Sequence, residues 1–421
     1  MERQSLLWKQ MLPVIDGSHH KFFVFRFTEG KTLVFSNEPL HVKISELNHY
    51  PIRLHAPPTI QLRHVPILAH VRCTFLLSHG VVMMNGRKTL VTGATGHLGA
   101  NLVRRLLEDG EPVRVLVRAG HDHSSLDGLE LERVTADLCD EASVEEAVKG
   151  CSHVYHCAAF VSTIDGDPAH RRKIFETNVL GTRYLLESAL RHGVEKVVVS
   201  GSLSAIGYDG DKPSHEDISF YPFERQLPYG FTKHLTVHEM LRAHAAGLNV
   251  VVATSCAIIG PNDYVPSRMG QVLIDFAHGK LRAYIPGGFE FVSTHDIVQG
   301  HLLAMQKGRS GQNYIFSTAY ASVDELMGMF RDVTGMPLPK YRLPPVLMAG
   351  LAEIADKTWF RLFPNLPRRF TPAAVRLLRM QRRADHGKAK RELGYQPTEL
   401  KQAVKDAYSH FVQRGIIKPL R

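Results

Sequence analysis

The chain has 421 residues, 44% of them hydrophobic and 22% charged, enough to bury a large core in one to three domains. No run reaches the ~18 apolar residues of a membrane-spanning helix. The five cysteines are odd in number and show no paired spacing, which argues for reduced thiols in the cytoplasm.

Residues 1–86 read as an N-terminal extension. "HKFFVFRFTEGKTLVFSNEPLHVKIS" alternates as strands do, whereas "HYPIRLHAPPTIQLRHVPILAH" has no clear period. The ordered n-region, apolar h-region and cleavage site of a signal peptide are missing. An added domain, a partner-binding arm and sequence upstream of the true start all remain open. The last is favoured, because Met83 and Met84 directly precede "NGRKTLVTGATG". A chain starting at Met84 is expected to fold and keep full activity.

The next stretch, "KTLVTGATGHLGANLVRRLL" (88–107), is a short apolar strand, three glycines spaced three apart, and a helix with leucines at helical spacing. Gly93, Gly96 and Gly99 fall where strand becomes helix. There a tight turn, a close backbone approach to a pyrophosphate and a helix–sheet contact each need a missing Cβ. The helix N-terminus offers free N–H groups to the phosphates. Thr95, His97 and Leu98 complete this candidate nucleotide turn.

Alternation continues. "EPVRVLVR" (111–118) is a second strand after Gly110, a helix C-cap, and "LERVTADL" (131–138) is a third. Ser143 and Glu146 form a capping box for a short helix. "HVYHCAA" (153–159) is a fourth strand, "NVLGTRYLLESALRHG" (178–193) a helix, and "KVVVSGS" (196–202) a fifth strand. Residues from Tyr229 to Ala246 form a helix, and "NVVVATS" (249–255) is a sixth strand. The fold class is α/β: a Rossmann-type doubly wound parallel sheet over 87–255, with a smaller C-terminal substrate-binding lobe over 256–421.

Arg118 ends the second strand, where an acid would favour a free ribose 2′-hydroxyl and a base a 2′-phosphate. NADP is therefore preferred, with NAD the alternative. Asp137, with Leu138 beside it, is placed to hold the adenine amino group or to make a simple turn. Ala158 and Ala159 are small enough for the cofactor to lie against backbone. The histidines form no HExxH pattern, and no metal site is expected.

"LPYGFTKH" (227–234) carries the candidate chemistry. Tyr229 and Lys233 are four apart and share a helix face. A free tyrosine is a poor base at neutral pH, and an ammonium beside it favours the phenolate. Tyr229 then serves as acid or base for a hydroxyl–carbonyl pair. Ser202, ending the fifth strand, is positioned to hydrogen bond the same substrate oxygen, with Ser204 as competitor and turn capping as its structural alternative.

These motifs resemble the extended short-chain dehydrogenase/reductases. The resemblance runs over TGATGHLG (92–99), ADL (136–138), HCAA (156–159), NVLGT (178–182), SGSLSAIG (200–207), YGFTK (229–233), IGPND (259–263), FVSTHDIVQGHLLAM (291–305) and RELGYQP (391–397). It is greatest for the branch of 3β-hydroxysteroid dehydrogenases and dihydroflavonol reductases. The resemblance implies Tyr229 as catalytic acid/base, Lys233 on the nicotinamide ribose, Ser202 orienting substrate, Ser255 among the cofactor contacts, and a homodimer. Gly201 departs from the family's usual Ser or Thr, and Ser255 stands where "RP" or "NP" is usual.

Three functions compete: an oxidoreductase acting on an alcohol or ketone of a lipophilic ring, a nucleotide-sugar epimerase or dehydratase, and a non-catalytic NADP-sensing protein. The intact Ser202, Tyr229 and Lys233 disfavour the third. Sugar nucleotides need polar clamps, and "PPVLMAGLAEIADKTWFRLF" (344–363) is mostly apolar. That favours the first, and the resemblance to the hydroxysteroid branch implies a sterol or triterpenoid 3β-hydroxyl as leading substrate and a 4-carboxysterol, decarboxylated after oxidation, as the specific case.

The net charge of +10 equals the excess between Lys357 and Arg391, where eleven Lys/Arg accompany one acid, Asp385. Trp359, Phe360, Leu362, Phe363 and Phe370 interleave with them. Basic residues are drawn to anionic lipid at ~1 kcal/mol each near the surface. A peripheral contact with the inner membrane face is expected, against the plainer reading of a solvated basic face. No nucleic-acid recognition motif accompanies the charge.

Overall fold

The computed structural model describes residues 88–162, 164, 166–210, 212–220, 228–344 and 372–419, together with six strand segments between Trp8 and Val71. The chain divides into two units, Met1–Met83 and Met84–Arg421. In the first, the alternating stretch is strand: Trp8–Ile15, Lys21–Phe27, Thr32–Ser36 and Lys43–Ile44 pair antiparallel in chain order. Leu62–Arg63 pairs with His70–Val71.

The second unit is built on seven parallel strands. These are β1 (Lys88–Thr92), β2 (Val113–Val117), β3 (Glu132–Thr135), β4 (Cys151–His156), β5 (Lys196–Ser202), β6 (Val250–Ser255) and β7 (Asn313–Phe316), in the spatial order β7-β6-β5-β4-β1-β2-β3. All neighbours are parallel. The doubly wound parallel sheet is as expected. Strand order reverses between β1 and β4, and such a switch point opens a crevice at the C-terminal strand ends. Both faces are buried, so the strands are runs of β-branched residues. Successive side chains go to opposite faces. Leu90, Val197, Val199 and Val252 join one buried cluster, and Val91, Val198 and Val251 the other.

The helices crossing these faces are α1 (His97–Glu108), α2 (Glu141–Val148), α3 (Pro168–Phe175), α4 (Gly181–Arg191) and α5 (Pro228–Ala245). Helix α2 corrects the capping expectation. It begins at Glu141, capped by the Asp140 carboxylate through Ala142 N–H. Ser143 lies inside the first turn, where its hydroxyl donates to the Asp137 and Asp140 carbonyls.

After β6 the chain builds the smaller lobe. It contains α6 (Arg268–Ala277), a three-stranded sheet of Ala257–Ile259, Gly288–Ser293 and Ala319–Ser322, and α8 (Val323–Thr334). Between these pieces the chain returns to the large sheet through α7 (Thr294–Lys307) and β7. The lobe's core gathers Leu273, Phe276, Phe291 and Phe330 with Phe411 of the last helix, α11 (Leu400–Gln413); before it, α9 (Pro372–Met380) packs Val375 with Ile285, and α10 (Gly387–Leu393) sends Ala389 and Leu393 into the core of the large sheet. The apolar stretch from residue 345, and Lys357 to Phe370 with their aromatics, lie outside the described residues.

One buried acid ties the lobe to its C-terminal arm. Glu290, 6% exposed, accepts Ala384 N–H at 3.2 Å. Burial, the main cause, pushes its carboxyl up from 4.5 to about 7. The folded protein thus holds this proton more tightly than the unfolded chain. The resulting stability is complete below about pH 4.5 and is lost as pH rises to about 7. Glu290→Gln should remove most of that loss, a difference on the order of 3 kcal/mol between acid and mildly alkaline pH. Denaturant midpoints of the two proteins at both pH values check it. An unchanged pH dependence would assign the loss to another group.

Candidate active site

The glycine turn opens at the switch point. Thr92 ends β1 in register with His156 of β4. Gly93 follows at φ +69°, and a Cβ there would come within 2.6 Å of the Ala158 nitrogen. Gly96 N–H donates to the Gly93 carbonyl at 3.0 Å and closes the turn. Gly96 is the N-cap of α1, and no side chain caps that end, so its first N–H groups stay available. A Cβ on Gly99 would run into the Gly93 carbonyl oxygen. Thr95 sits half-buried at the turn, and Leu98 is buried in the core. The His97 ring is engaged elsewhere: Nε2 lies 3.2 and 3.1 Å from the Gly260 and Pro261 carbonyls, tying α1 to the smaller lobe.

Arg118 is exposed immediately after β2, and its guanidinium makes no hydrogen bond or ion pair among the described residues. The Asp137 carboxylate accepts Cys139 N–H at 2.9 Å, a turn role that leaves its second oxygen open. Leu138 is buried against Gly181, where a Cβ would come within 2.9 Å of it. Ala158 leaves β4 with its N–H on the Thr92 hydroxyl at 3.3 Å.

Ser202, Tyr229 and Lys233 come together at the ends of β5 and α5. The Ser202 hydroxyl caps the short turn Leu203–Ala205 through Ser204 N–H and lies 2.8 Å from the Ser204 hydroxyl. Burial holds the Tyr229 phenol above its ordinary value, and the influence of the Ser202 hydroxyl pulls it partly back. Lys233 is 5% exposed and donates to the Ser200 carbonyl at 2.6 Å. Burial lowers it to about 8. The Lys233 ammonium is thus anchored on β5, and burial is the main influence on Tyr229.

Several residues that sequence reasoning missed hold this arrangement. Asn178 precedes α4; its amide accepts Phe160 N–H at 2.7 Å and donates to the Thr232 hydroxyl at 3.1 Å. It thus pins the exit of β4 to α5. His156 bridges the Thr92 and Thr182 hydroxyls at 2.7 and 2.9 Å, and burial lowers it to about 3. His301 of α7 lies 2.7 Å from the Ser200 hydroxyl. Asn178 and Thr182 lie in "NVLGT", His156 in "HCAA" and His301 in "FVSTHDIVQGHLLAM", but the motifs do not show whom these side chains bond. His234 and His238, four apart on α5, hydrogen bond each other at 3.0 Å. No group of three or more metal-binding side chains occurs among the described residues.

The model of the NAD dependent epimerase/dehydratase family matches residues 89–317. The chain belongs to this family. It is 42% identical over 329 residues to sterol demethylase protein B of Methylococcus capsulatus, covering 78% of this chain and 99% of that one. It is 33% identical to a putative dihydroflavonol 4-reductase of Synechocystis, covering 78% and 95%. It is 28% identical to the decarboxylating sterol-4-alpha-carboxylate 3-dehydrogenase of Mus musculus, covering 74% and 87%.

As a family member the protein is an NAD(P)-dependent oxidoreductase of the short-chain dehydrogenase/reductase type. The turn fits a dinucleotide: Gly93 leaves a cradle that a Cβ would fill, and uncapped N–H groups lie beside it. Both departures from the family pattern have a packing reason. A Cβ on Gly201 would strike the Thr254 hydroxyl and lie within 2.7 Å of Val252, so no second hydroxyl fits there. Ser255 donates to the Gly201 carbonyl at 3.2 Å, stapling β6 to β5.

Proposed function

We propose that this protein is an NADP-dependent dehydrogenase of a sterol or triterpenoid 3β-hydroxyl, and that a 4-carboxysterol is its specific substrate. The convergence of Ser202 at the end of β5 with Tyr229 and Lys233 of α5, Lys233 donating to the Ser200 carbonyl of that strand, carries the reading. A nicotinamide nucleotide held at the glycine turn would supply the acceptor for the hydride of the carbinol carbon. Ser202 orients the substrate oxygen, and Tyr229 takes its proton as the carbonyl forms. Lys233 holds the ribose and keeps the nucleotide in reach. The product of a 4-carboxysterol is a β-keto acid. It loses CO₂ as the carboxylate C–C bond electrons move into the ketone, so no further residue is required.

The names of the Methylococcus and mouse relatives support a sterol, and the Synechocystis relative supports the second reading, a reductase of dihydroflavonol-type ketones. A substrate screen with both nucleotides tests the assignment, comparing 3β-hydroxysterols with and without a 4-carboxylate, dihydroflavonols and sugar nucleotides. Turnover of sugar nucleotides and of no sterol would overturn it.

The choice of NADP rests on Arg118, whose exposed cation stands at the end of β2. Arg118→Glu should reverse the preference towards NAD, because a carboxylate repels the 2′-phosphate and accepts from a free 2′-hydroxyl. The ratio of kcat/KM for the two nucleotides reads this directly. An unaltered ratio would make Arg118 a surface residue only.

A membrane-surface contact belongs to the same proposal. Arg376, Leu377 and Arg379 of α9 are exposed together, as are Arg383 and Lys390 beyond it. None of the described helices is long and apolar enough to cross a membrane. Salt-sensitive sedimentation with anionic liposomes is the expected behaviour.

A further inference from the structure

Arg382 belongs to the basic run, yet its half-buried head group is held by the fold. Its Nε donates to the Ser214 hydroxyl at 2.8 Å, and Nη2 donates to the Ile206 and Gly207 carbonyls at 2.8 and 2.6 Å. Three acceptors around one planar fork are a fit that lysine cannot reproduce. The surroundings repeat the grip. Ser214 N–H donates to the Arg383 carbonyl at 2.9 Å, and Asp385 N–H donates to the Ser214 carbonyl at 2.8 Å. The Tyr208 hydroxyl donates to the Met380 carbonyl at 3.1 Å. The arm from Met380 to Asp385 therefore clasps the segment from Ile206 to Ser214.

That segment begins at the Ser202 turn. Ile206 N–H donates to the Leu203 carbonyl at 3.1 Å, closing the turn that Ser202 caps. The same turn packs on the start of α5, where a Cβ on Gly230, next to Tyr229, would lie 3.2 Å from the Ser204 carbonyl oxygen. We propose that Arg382 is a positioning residue for the reaction: by holding the Ile206 and Gly207 carbonyls from the smaller lobe, it fixes the Ser202 turn and with it the placement of Ser202 relative to Tyr229. The inference rests on the proposed roles of Ser202 and Tyr229, but not on which alcohol or ketone is the substrate.

Arg382→Ala tests it, with Arg382→Lys and Ser214→Ala as milder companions that lose only part of the clasp. A displacement of about 1 Å in a catalytic group costs on the order of 10²-fold in rate. Arg382→Ala should therefore lower kcat roughly 10- to 100-fold, with nucleotide Kd unchanged. Loosening Ser202 removes its pull on the phenol, so the pH profile of oxidation should move to higher pH, as it does in Ser202→Ala. Guanidinium ion added at millimolar level should restore part of kcat in Arg382→Ala and none in Ser202→Ala. The companions should fall between wild type and Arg382→Ala. A wild-type kcat in Arg382→Ala would overturn the proposal. So would a fall in kcat matched by lost nucleotide affinity with the pH profile unmoved. A substrate other than a sterol leaves every arm readable, whereas full activity in Ser202→Ala would show that the reading of the site itself had failed.

Discussion

Tyr229→Phe is expected to bind the nucleotide as the wild type does and to lose ~10²–10⁴-fold in turnover, the usual contribution of one general acid/base. The substitution removes only the transferable proton and its hydroxyl. Lys233 is anchored independently of the phenol, on the Ser200 carbonyl, so the nucleotide's contacts should survive. Direction of reaction adds a second readout. Oxidation needs the phenol deprotonated, and burial holds it above its ordinary value, so the wild-type oxidation rate should climb with pH through the neutral range. The residual rate of Tyr229→Phe should lack that climb. Stopped-flow single turnovers with nucleotide titrations separate the two effects. Near-normal turnover in Tyr229→Phe would mean that another group carries the proton.

The second large effect is expected from Gly93→Ala, with Gly110→Ala as its control. Both positions lie in the left-handed region, at φ +69° and +77°. Each substitution therefore carries backbone strain of about 1–2 kcal/mol. They differ in what the new Cβ meets. At Gly110 nothing lies within 4 Å, whereas at Gly93 the Ala158 nitrogen and Cα lie at 2.6 and 2.7 Å. These are backbone atoms at the exit of β4 and cannot turn aside. Gly93→Ala must push the turn away from β4 and close the approach to the crevice. Nucleotide affinity should fall roughly 100-fold or more, about 3 kcal/mol. Gly110→Ala should melt earlier but bind nucleotide normally. Isothermal titration on both variants decides between strain and steric closure, and equal affinities would remove the close-approach role of Gly93.

What sequence could show here depended on whether a side chain or a backbone atom does the work. The β-branched runs of β1, β5 and β6 announce strands buried on both faces, and the Gly93 turn follows from the missing Cβ. Tyr229 and Lys233 are legible as a pair at helical spacing. The partner of Lys233 is not, because the Ser200 carbonyl has no sequence signature. The same holds for Arg382, which reads as one more cation in a basic run until the Ile206 and Gly207 carbonyls are seen beneath it. Ser143 and Glu146 imitate a capping box and mask the true start of α2, which Asp140 caps three residues earlier. His301 is spaced like a core residue of α7 and shows its link to Ser200 only in three dimensions.

The most direct measurement is the stoichiometry of reduced nucleotide to CO₂ during incubation with a 3β-hydroxy-4-carboxysterol and NADP⁺. The proposed reaction predicts one CO₂ for each nucleotide reduced, oxidation without CO₂ from the sterol lacking the carboxylate, and neither product from Tyr229→Phe. Nucleotide that stays oxidised with both sterols while sugar nucleotides are converted would contradict it.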